Sequence, residues 1–561
     1  ADRDGEYYLR QEGNGLLIGA YEKDVRFWAE DGTPQGFGHE LFADDLERIM
    51  DNVMRAMDRV PLAAEAGVKR VINGPMIWSP DSSALFGPVP ELKNYFCCCG
   101  IIPGFSQSGG LGLMSAQWIV DGEPEYDMFP WDLARYGNWA NKAFTKERVR
   151  DQYGNRFKIH MPYEERDAGR PLKTRPVYEK QKELGCVFGL NYGWEHPLWF
   201  APQGVEPKED YGFKRQDWWH HVKSECDNLR TNVGIVDVSN FGKYEVKGQG
   251  ASEWIDKIIA NNVPKEIGRS CLTPLIGIRG GVAGDFTVTK LNDEHFFIVG
   301  SGMAERYHIR FFEMIDRPNT VSFQSLTEEM CGFNVAGPKS RTLLSRMTQE
   351  DLSNENWKFM RSRSITIAGI DAIAIRVSFT GDLGWEIYVK TENQVKLYEA
   401  LLETGADLGV KPVGGRSLLS LRVEKGYGSW GREYSPEYWP QEVGLDRLIK
   451  LDKPSFLGKE AYLKIKDQKP REKLVVLEVT ADRNADPAGG EPVFLRDGTP
   501  VGRVTSGAYG YTCDKSLAIC MIKTDHAIDG NEFHVAVIGQ NHDAVMLKEA
   551  PFDPLGSKLR G

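Results

Sequence analysis

Tyr95-Phe96-Cys97-Cys98-Cys99-Gly100-Ile101-Ile102-Pro103-Gly104-Phe105-Ser106-Gln107-Ser108-Gly109-Gly110-Leu111-Gly112 runs on through Ala116-Gln117-Trp118-Ile119-Val120-Asp121-Gly122-Glu123-Pro124. The apolar run, the glycines and the amphipathic tail predict a buried strand, a glycine-rich turn and a helix, an arrangement that lays backbone N–H groups against a cofactor. Gly110-Leu111-Gly112-Leu113-Met114-Ser115 nearly matches the GxGxxG fingerprint of a dinucleotide site. It lies far from the N-terminus, however, and lacks the strand with an acidic residue about 20 positions on. A turn that merely admits close helix packing is an equal reading. No such fingerprint lies upstream, and the chain begins at Ala1 in mid-pattern. The expectation is the C-terminal portion of a longer protein, joined to a second catalytic unit.

The totals fit that expectation. A length of 561 residues predicts two to four domains, each able to bury a core. A hydrophobic content of 41%, with 14 Trp and 21 Tyr, is that of a folded protein rather than a disordered one. The net charge of -11 disfavours a nucleic-acid partner, which needs a basic surface. No apolar run is long enough for a membrane span. Nine cysteines without framework spacing predict reduced, buried thiols, and consecutive Cys97, Cys98 and Cys99 cannot make a CxxC-type metal clamp.

Outward from the opening stretch, a first unit covers 1–137. It holds two strands, Tyr7 to Arg10 and Leu16 to Gly19, about a Gly-Asn-Gly turn, and a helix from Glu40 to Met57. Val71 to Pro103 reads as short strands broken by glycine and proline. A charged connector, 138–192, is predicted to be part helix and part extended. Residues 193–470 alternate strands (Phe241 to Val246, Gly280 to Leu291, Phe296 to Val299, Ile365 to Ser378) with helices (Ala251 to Ile259, Gly302 to Met314, Gln394 to Thr404) and no βαβ period. The fold class is therefore α+β. Strands punctuated by Arg496-Asp497-Gly498-Thr499 and Asp529-Gly530 predict a small β-barrel over 471–561.

Most motifs have bland readings. Asp482-x-Asn484-x-Asp486 opens like a calcium loop, but Pro487 stands where glycine is required. His220-His221 lacks ligand spacing, and Trp194-Glu195-His196 with Trp199 reads as aromatic packing. No metal site is expected. Two constellations are sharper. Gly280-Gly281-Val282-Ala283-Gly284-Asp285-Phe286-Thr287-Val288 sets an acid inside a strand reached through glycines, and Gly381-Asp382-Leu383-Gly384-Trp385-Glu386-Ile387-Tyr388 repeats the theme. A carboxylate there is costly unless hydrogen-bonded or used. The alternative in each case is a turn acid facing water. Two such acids suit a heterocycle that presents N–H groups, such as a pterin.

With these residues in hand, the sequence resembles the dimethylglycine dehydrogenase and sarcosine dehydrogenase family over nearly its whole length. The match includes Tyr7-Tyr8-Leu9-Arg10-Gln11-Glu12, Asn73-Gly74-Pro75, Arg135-Tyr136-Gly137, Gly193-Trp194-Glu195, Gly337-Pro338, Gly384-Trp385-Glu386-Ile387-Tyr388 and Leu421-Arg422-Val423-Glu424-Lys425. The resemblance implies the remainder of a flavin oxidoreductase domain, then an aminomethyltransferase-like folate-binding domain and a β-barrel. It implies FAD and tetrahydrofolate as cofactors and a small N-methyl amino acid, dimethylglycine or sarcosine, as substrate. FAD takes a hydride from the N-methyl carbon, and tetrahydrofolate captures the one-carbon unit as 5,10-methylenetetrahydrofolate. Electrons then pass to an electron-transfer flavoprotein or to oxygen. By position, Asp285 becomes the general base, while Phe286, Thr287, Phe379, Glu386, Ile387 and Tyr388 line the folate pocket. Backbone from Ile101 through Ile102, Pro103, Gly104 and Phe105 to Ser106 runs along the flavin. The compartment implied is the cytoplasm in a bacterium and the mitochondrial matrix in a eukaryote.

Departures are specific. Gly104-Phe105-Ser106-Gln107 replaces a family stretch that often carries a histidine near substrate and flavin, which leaves the amine open. A family tyrosine on the folate aligns with Arg447, which alters that contact. Three alternatives stay open: another N-methylamine such as 4-methylaminobutanoate, a non-catalytic regulatory relative, and a stand-alone folate aminomethyltransferase. Asp285 and Glu386 speak against the second.

Overall fold

The computed structural model describes residues 1–481 and 484–561, so the motif beginning at Asp482 starts outside the described residues. Two compact units emerge: Ala1–Ser115 with Pro130–Leu172, and Ala116–Phe129 with Lys173–Gly561.

The first unit opens with the expected hairpin, Tyr7–Glu12 antiparallel to Gly15–Ala20. Its aromatic centre sets Tyr21 against Tyr8, Tyr153 and Phe157, with the Arg156 guanidinium 4.1 Å over the Tyr21 ring. The helix predicted from Glu40 begins later, as one tight turn at Glu47–Ile49 and then Met50–Arg59. The cause lies upstream: Phe42 N donates to Asn73 O at 2.8 Å and Asn73 Nδ2 to Ala43 O at 2.8 Å, which draws that backbone away from helical pairing. Between Val71 and Pro103 only Leu85–Pro88 and Phe96–Cys99 are strands, paired as a hairpin.

That hairpin corrects two expectations. Phe96–Cys99 is not a buried strand: Cys98 and Cys99 are exposed and Cys97 is partly so, because the two-stranded ribbon has no third strand to cover it among the described residues. The glycines that follow form no turn either. They belong to a helix of 18 residues, Gly104–Asp121, which buries Leu111, Met114 and Trp118 at helical spacing. No helix of the described residues is long and apolar enough to cross a membrane.

The second unit contains, besides the hairpin Cys186–Asn191/Trp194–Phe200 and a barrel, two larger sheets. One has five antiparallel strands in the order Ser322–Ser325, Gly242–Lys247, His295–Gly300, Val282–Asn292, Ser270–Ile276. The other has six, in the order Ser362–Ile367, Ile370–Ile375, Gly384–Lys390, Met330–Ala336, Val233–Asp237, Val410–Val413, with the last pair parallel. The run predicted as one strand from Ile365 to Ser378 is thus two, hinged at Ala368-Gly369, where both residues have positive φ. Gln394–Thr404 is helical over the span its periodicity predicted. One face of the six-stranded sheet packs Trp385, Ile387 and Val389 against Trp357, Tyr398 and Leu401. The opposite face packs Val236, Ala336 and Tyr388 against Phe297 and Val299 of the five-stranded sheet. From Glu472 to Met546, six strands close the predicted barrel around Leu477, Val493, Phe533 and Val535.

Candidate functional site

Side chains alternate across a strand, so each strand of the two sheets offers one face to the space between them. In Val282–Asn292, Thr287 pairs with Val299 and Thr289 with Phe297. Paired residues share a face, and Phe297 packs its ring 5.2 Å from that of Tyr388 across the gap. Asp285, two residues before Thr287, therefore opens onto the inter-sheet space. Phe286 points the other way, into an aromatic set with His308 at 4.8 Å and Phe312 at 5.6 Å. In Gly384–Lys390 the same alternation sends Glu386 and Tyr388 into the inter-sheet space. It buries Ile387 on the helix-covered face, so Ile387 can offer a ligand only its backbone.

The two acids are in similar electrical circumstances. Burial pushes the Asp285 carboxyl up to about 6, against a small opposing pull from a backbone N–H. Burial also pushes Glu386 up to about 7, and its one hydrogen bond among the described residues comes from Tyr388 Oη at 2.7 Å. Among the described residues neither acid is in an ion pair. A carboxylate accepts about four hydrogen bonds, so Glu386 retains most of its acceptor capacity. Both acids suit a ligand rich in N–H donors or carrying positive charge.

Around them the structure adds residues that the sequence did not single out. Asn334, paired with Glu386 across the strands, donates to Val377 O at 3.1 Å and accepts from Ser378 Oγ at 3.1 Å. This fixes the bend on which Phe379 sits, and the Phe379 ring stacks on Tyr427 at 5.9 Å. An amide inside the apolar run Met330–Ala336 was the available signal for Asn334. Tyr434 lies close enough to Asp285 for the acid's charge to help raise its hydroxyl, after burial. Arg447 is exposed on the turn Asp446–Leu448, with Nε bonded to Gly444 O at 3.2 Å. Its charge reaches Tyr427 and Tyr434 and opposes the rise of both hydroxyls.

Several earlier candidates are structural. Asp382 is paired with Arg230. Trp194 lies beneath Arg175 at 3.6 Å, and Trp199 stacks on His221 at 5.4 Å, which is the packing role expected of that cluster.

Ile101 to Ser106 lie in the first unit. Ile102 and Pro103 turn into the helix that starts at Gly104, with Pro103 O accepting from Gln107 N and from Ser106 Oγ. The Phe105 ring is exposed. A Cβ added at Gly104, Gly109, Gly110 or Gly112 would meet no heavy atom within 4 Å, so close packing among the described residues does not call for glycine there. A flat group laid along the helix start would, and an FAD ring system fits that cradle. Tetrahydrofolate likewise fits the free acceptors of Glu386 and the Asp285 carboxyl.

Comparison with known proteins divides the chain near residue 175. The sequence matches the family model for an FAD dependent oxidoreductase over 1–118 and that for the FAD dependent oxidoreductase central domain over 121–174. The GCVT N-terminal domain matches 177–453, and the glycine cleavage T-protein C-terminal barrel domain matches 472–553. Mitochondrial dimethylglycine dehydrogenase of Rattus norvegicus is 36% identical over 98% of this chain, which spans 64% of that relative's length. The 4-methylaminobutanoate oxidase (formaldehyde-forming) of Paenarthrobacter nicotinovorans is 33% identical over 100% of this chain and 68% of its own. Among solved structures, the glycine cleavage system aminomethyltransferase T of Bartonella henselae superposes with a TM-score of 0.60 at 23% identity, covering 68% of this chain and 99% of that one. That similarity supports the fold of the second unit.

Proposed function

The chain belongs to the dimethylglycine dehydrogenase and sarcosine dehydrogenase family, and from that premise we propose that it serves oxidative N-demethylation of dimethylglycine or sarcosine, with transfer of the one-carbon unit to tetrahydrofolate. The observation that carries the reading is the pair of desolvated carboxyls, Asp285 and Glu386, each on the inter-sheet face of its strand and, among the described residues, without a cationic partner. Bound FAD supplies the hydride acceptor for the N-methyl carbon. Glu386 accepts from the pterin amino and ring N–H groups in charge-assisted bonds, and Tyr388 holds its orientation. Asp285, held near 6, is ionised at neutral pH yet still basic enough to take the proton released as the folate amine attacks the iminium carbon. Phe379 and Tyr427 offer aromatic faces beside the ring. The segment Ile101 to Ser106 would lie along the flavin, and reoxidation by an electron-transfer flavoprotein belongs to the same proposal.

The test is single turnover of the full-length flavoprotein with dimethylglycine, sarcosine and 4-methylaminobutanoate, following flavin bleaching, 5,10-methylenetetrahydrofolate and free formaldehyde. Asp285→Asn is expected to slow methylene transfer by about 10²- to 10⁴-fold while flavin bleaching persists. Transfer at the wild-type rate in Asp285→Asn would remove Asp285 as the base. Bleaching by 4-methylaminobutanoate alone would reassign the amine.

A further inference from the structure

The end of the opening stretch, Asp121-Gly122-Glu123, is fastened to the turn that leads into the Asp285 strand. The Glu123 carboxylate accepts from the backbone N–H of Arg279 at 3.0 Å, and the backbone N–H of Ile278 also favours its charged form. Arg279 closes the clasp from its own side, with Nε donating to Glu123 O at 2.7 Å and Nη2 to Asp121 Oδ2 at 2.8 Å. The approach leaves no room for side chains. A Cβ at Gly277 would lie 2.6 Å from Glu123 Oε1, and one at Gly122 would lie 2.8 Å from the Ile278 side chain.

The clasped segment is the turn between Ser270–Ile276 and Val282–Asn292, closed by Gly280 N to Gly277 O and Gly277 N to Gly281 O, each 2.9 Å. Immediately beyond it the ladder is irregular. Val282 pairs with Ile276 but Gly284 with Leu275, which leaves Ala283 as a bulge, and Asp285 then pairs with Pro274. A bulge is where register is most easily lost, and a slip of one residue turns every following side chain to the other face. Such a slip here would move Asp285 out of the inter-sheet space and onto the face occupied by His308 and Phe312. A further sign of purpose is cost: burial pushes the Glu123 carboxyl up to about 7 despite its backbone donors and Arg279.

We propose that Glu123 is a positioning residue for one-carbon transfer: by holding the 277–281 turn it fixes the register that delivers Asp285 to the folate. The proposal rests on the functional reading above. It goes beyond that reading in making a residue from the segment matched by the oxidoreductase central-domain model answer for the geometry of the folate base.

The experiment uses the full-length flavoprotein with dimethylglycine and tetrahydrofolate, in the variants Glu123→Gln, Glu123→Ala and Asp285→Asn. Flavin bleaching is expected to stay within about twofold of wild type, while the transfer kcat falls about 10- to 100-fold in Glu123→Ala. Glu123→Gln keeps one acceptor oxygen and is expected to lie between. The KM for tetrahydrofolate should change little, because Glu386 sits on the other sheet, and formaldehyde release should rise as transfer falls. Amide hydrogen exchange over 277–286 should quicken in both Glu123 variants. Wild-type transfer and unchanged exchange in Glu123→Ala, alongside a transfer-dead Asp285→Asn, would overturn this proposal alone. An Asp285→Asn enzyme that still transfers would overturn the functional reading and this proposal with it. An equal rise in KM with kcat unchanged would also sink it, since that is the mark of a damaged folate pocket.

Discussion

Asp285 and Glu386 differ in what their raised pKa values do. As the proposed base Asp285 would act only when ionised, so the transfer rate should fall about tenfold per pH unit below its value of about 6 and level off above it. A pH profile of methylene transfer, with flavin reduction followed separately, checks the limb. Glu386 instead exposes a cost to the fold. Its value rises from 4.5 to about 7 on folding, so between those pH values the native state holds more protons than the unfolded chain. Stability from this group is therefore present below 4.5 and lost as pH rises through about 7. Glu386→Gln, which still accepts from Tyr388, should be more stable than wild type at pH 8, by on the order of 2 kcal/mol. It should also bind tetrahydrofolate more weakly, by about 1.5–3 kcal/mol for the lost charge-assisted bonds. Thermal melts at pH 5 and pH 8, with folate titration, test both: the stability gain should shrink to a small fraction at the lower pH.

The two strands that carry these acids were legible for a simple reason. An acid between apolar residues, reached through glycines, is costly enough to need an explanation, and the pattern marked Asp285 and Glu386 directly. What the pattern also contained was the alternation that separates Asp285 and Thr287 from Phe286, and Glu386 and Tyr388 from Ile387. Taking consecutive residues together as a pocket lining passes over that period of two. The start of the helix Gly104–Asp121 was hidden for the opposite reason. Leu111, Met114 and Trp118 keep helical spacing, but glycine at 104, 109, 110 and 112 costs about 1 kcal/mol per residue relative to alanine. Local propensity therefore favoured a turn, and burial of the apolar stripe overrode it. The glycine at the strand's start was ambiguous in sequence and is not in the structure. A Cβ on Gly281 would overlap the Pro436 carbonyl, and Val282 N donates to Tyr438 O at 3.0 Å just beyond it. Gly281→Ala should therefore cost about 1–3 kcal/mol through overpacking against backbone. It should slow methylene transfer more than flavin reduction; melting temperature and the two half-reactions measure this.

The barrel is tied to the part of the chain that matches the GCVT N-terminal domain through buried charge. Glu433 accepts from Arg422 Nη1 at 3.2 Å and Ser429 N at 3.0 Å on the domain side, and from Thr505 Oγ1 at 2.8 Å and Ser506 Oγ at 2.5 Å on the barrel. Arg422 reaches across as well, with Nη2 donating to Ser506 Oγ at 2.7 Å. A second knot repeats the plan: Glu424 accepts from Arg230 Nη2 at 2.7 Å and from the barrel-side Thr512 N at 2.7 Å. Glu424 ends the helix Gly415–Glu424, whose Leu421 and Val423 are buried, and Glu433 lies in the turn that follows at 429–434. Removing one partner of such a network leaves an uncompensated charge in a dry interior, which costs more than the pair itself contributes. Glu433→Ala should thus lose about 3–5 kcal/mol. Glu433→Gln should lose less, because the hydroxyl donors keep an acceptor, while Arg422 Nη1 and Ser429 N lose theirs. If these knots join the barrel to the domain cooperatively, calorimetry of the wild type should show one transition for this unit, and Glu433→Ala should split off a lower-melting barrel. A single transition merely shifted down would mean that apolar packing of the helix, rather than the charges, makes the two melt together. Glu386 and Asp285 are not partners in either knot, so the variant should keep its folate affinity at temperatures where the barrel remains folded.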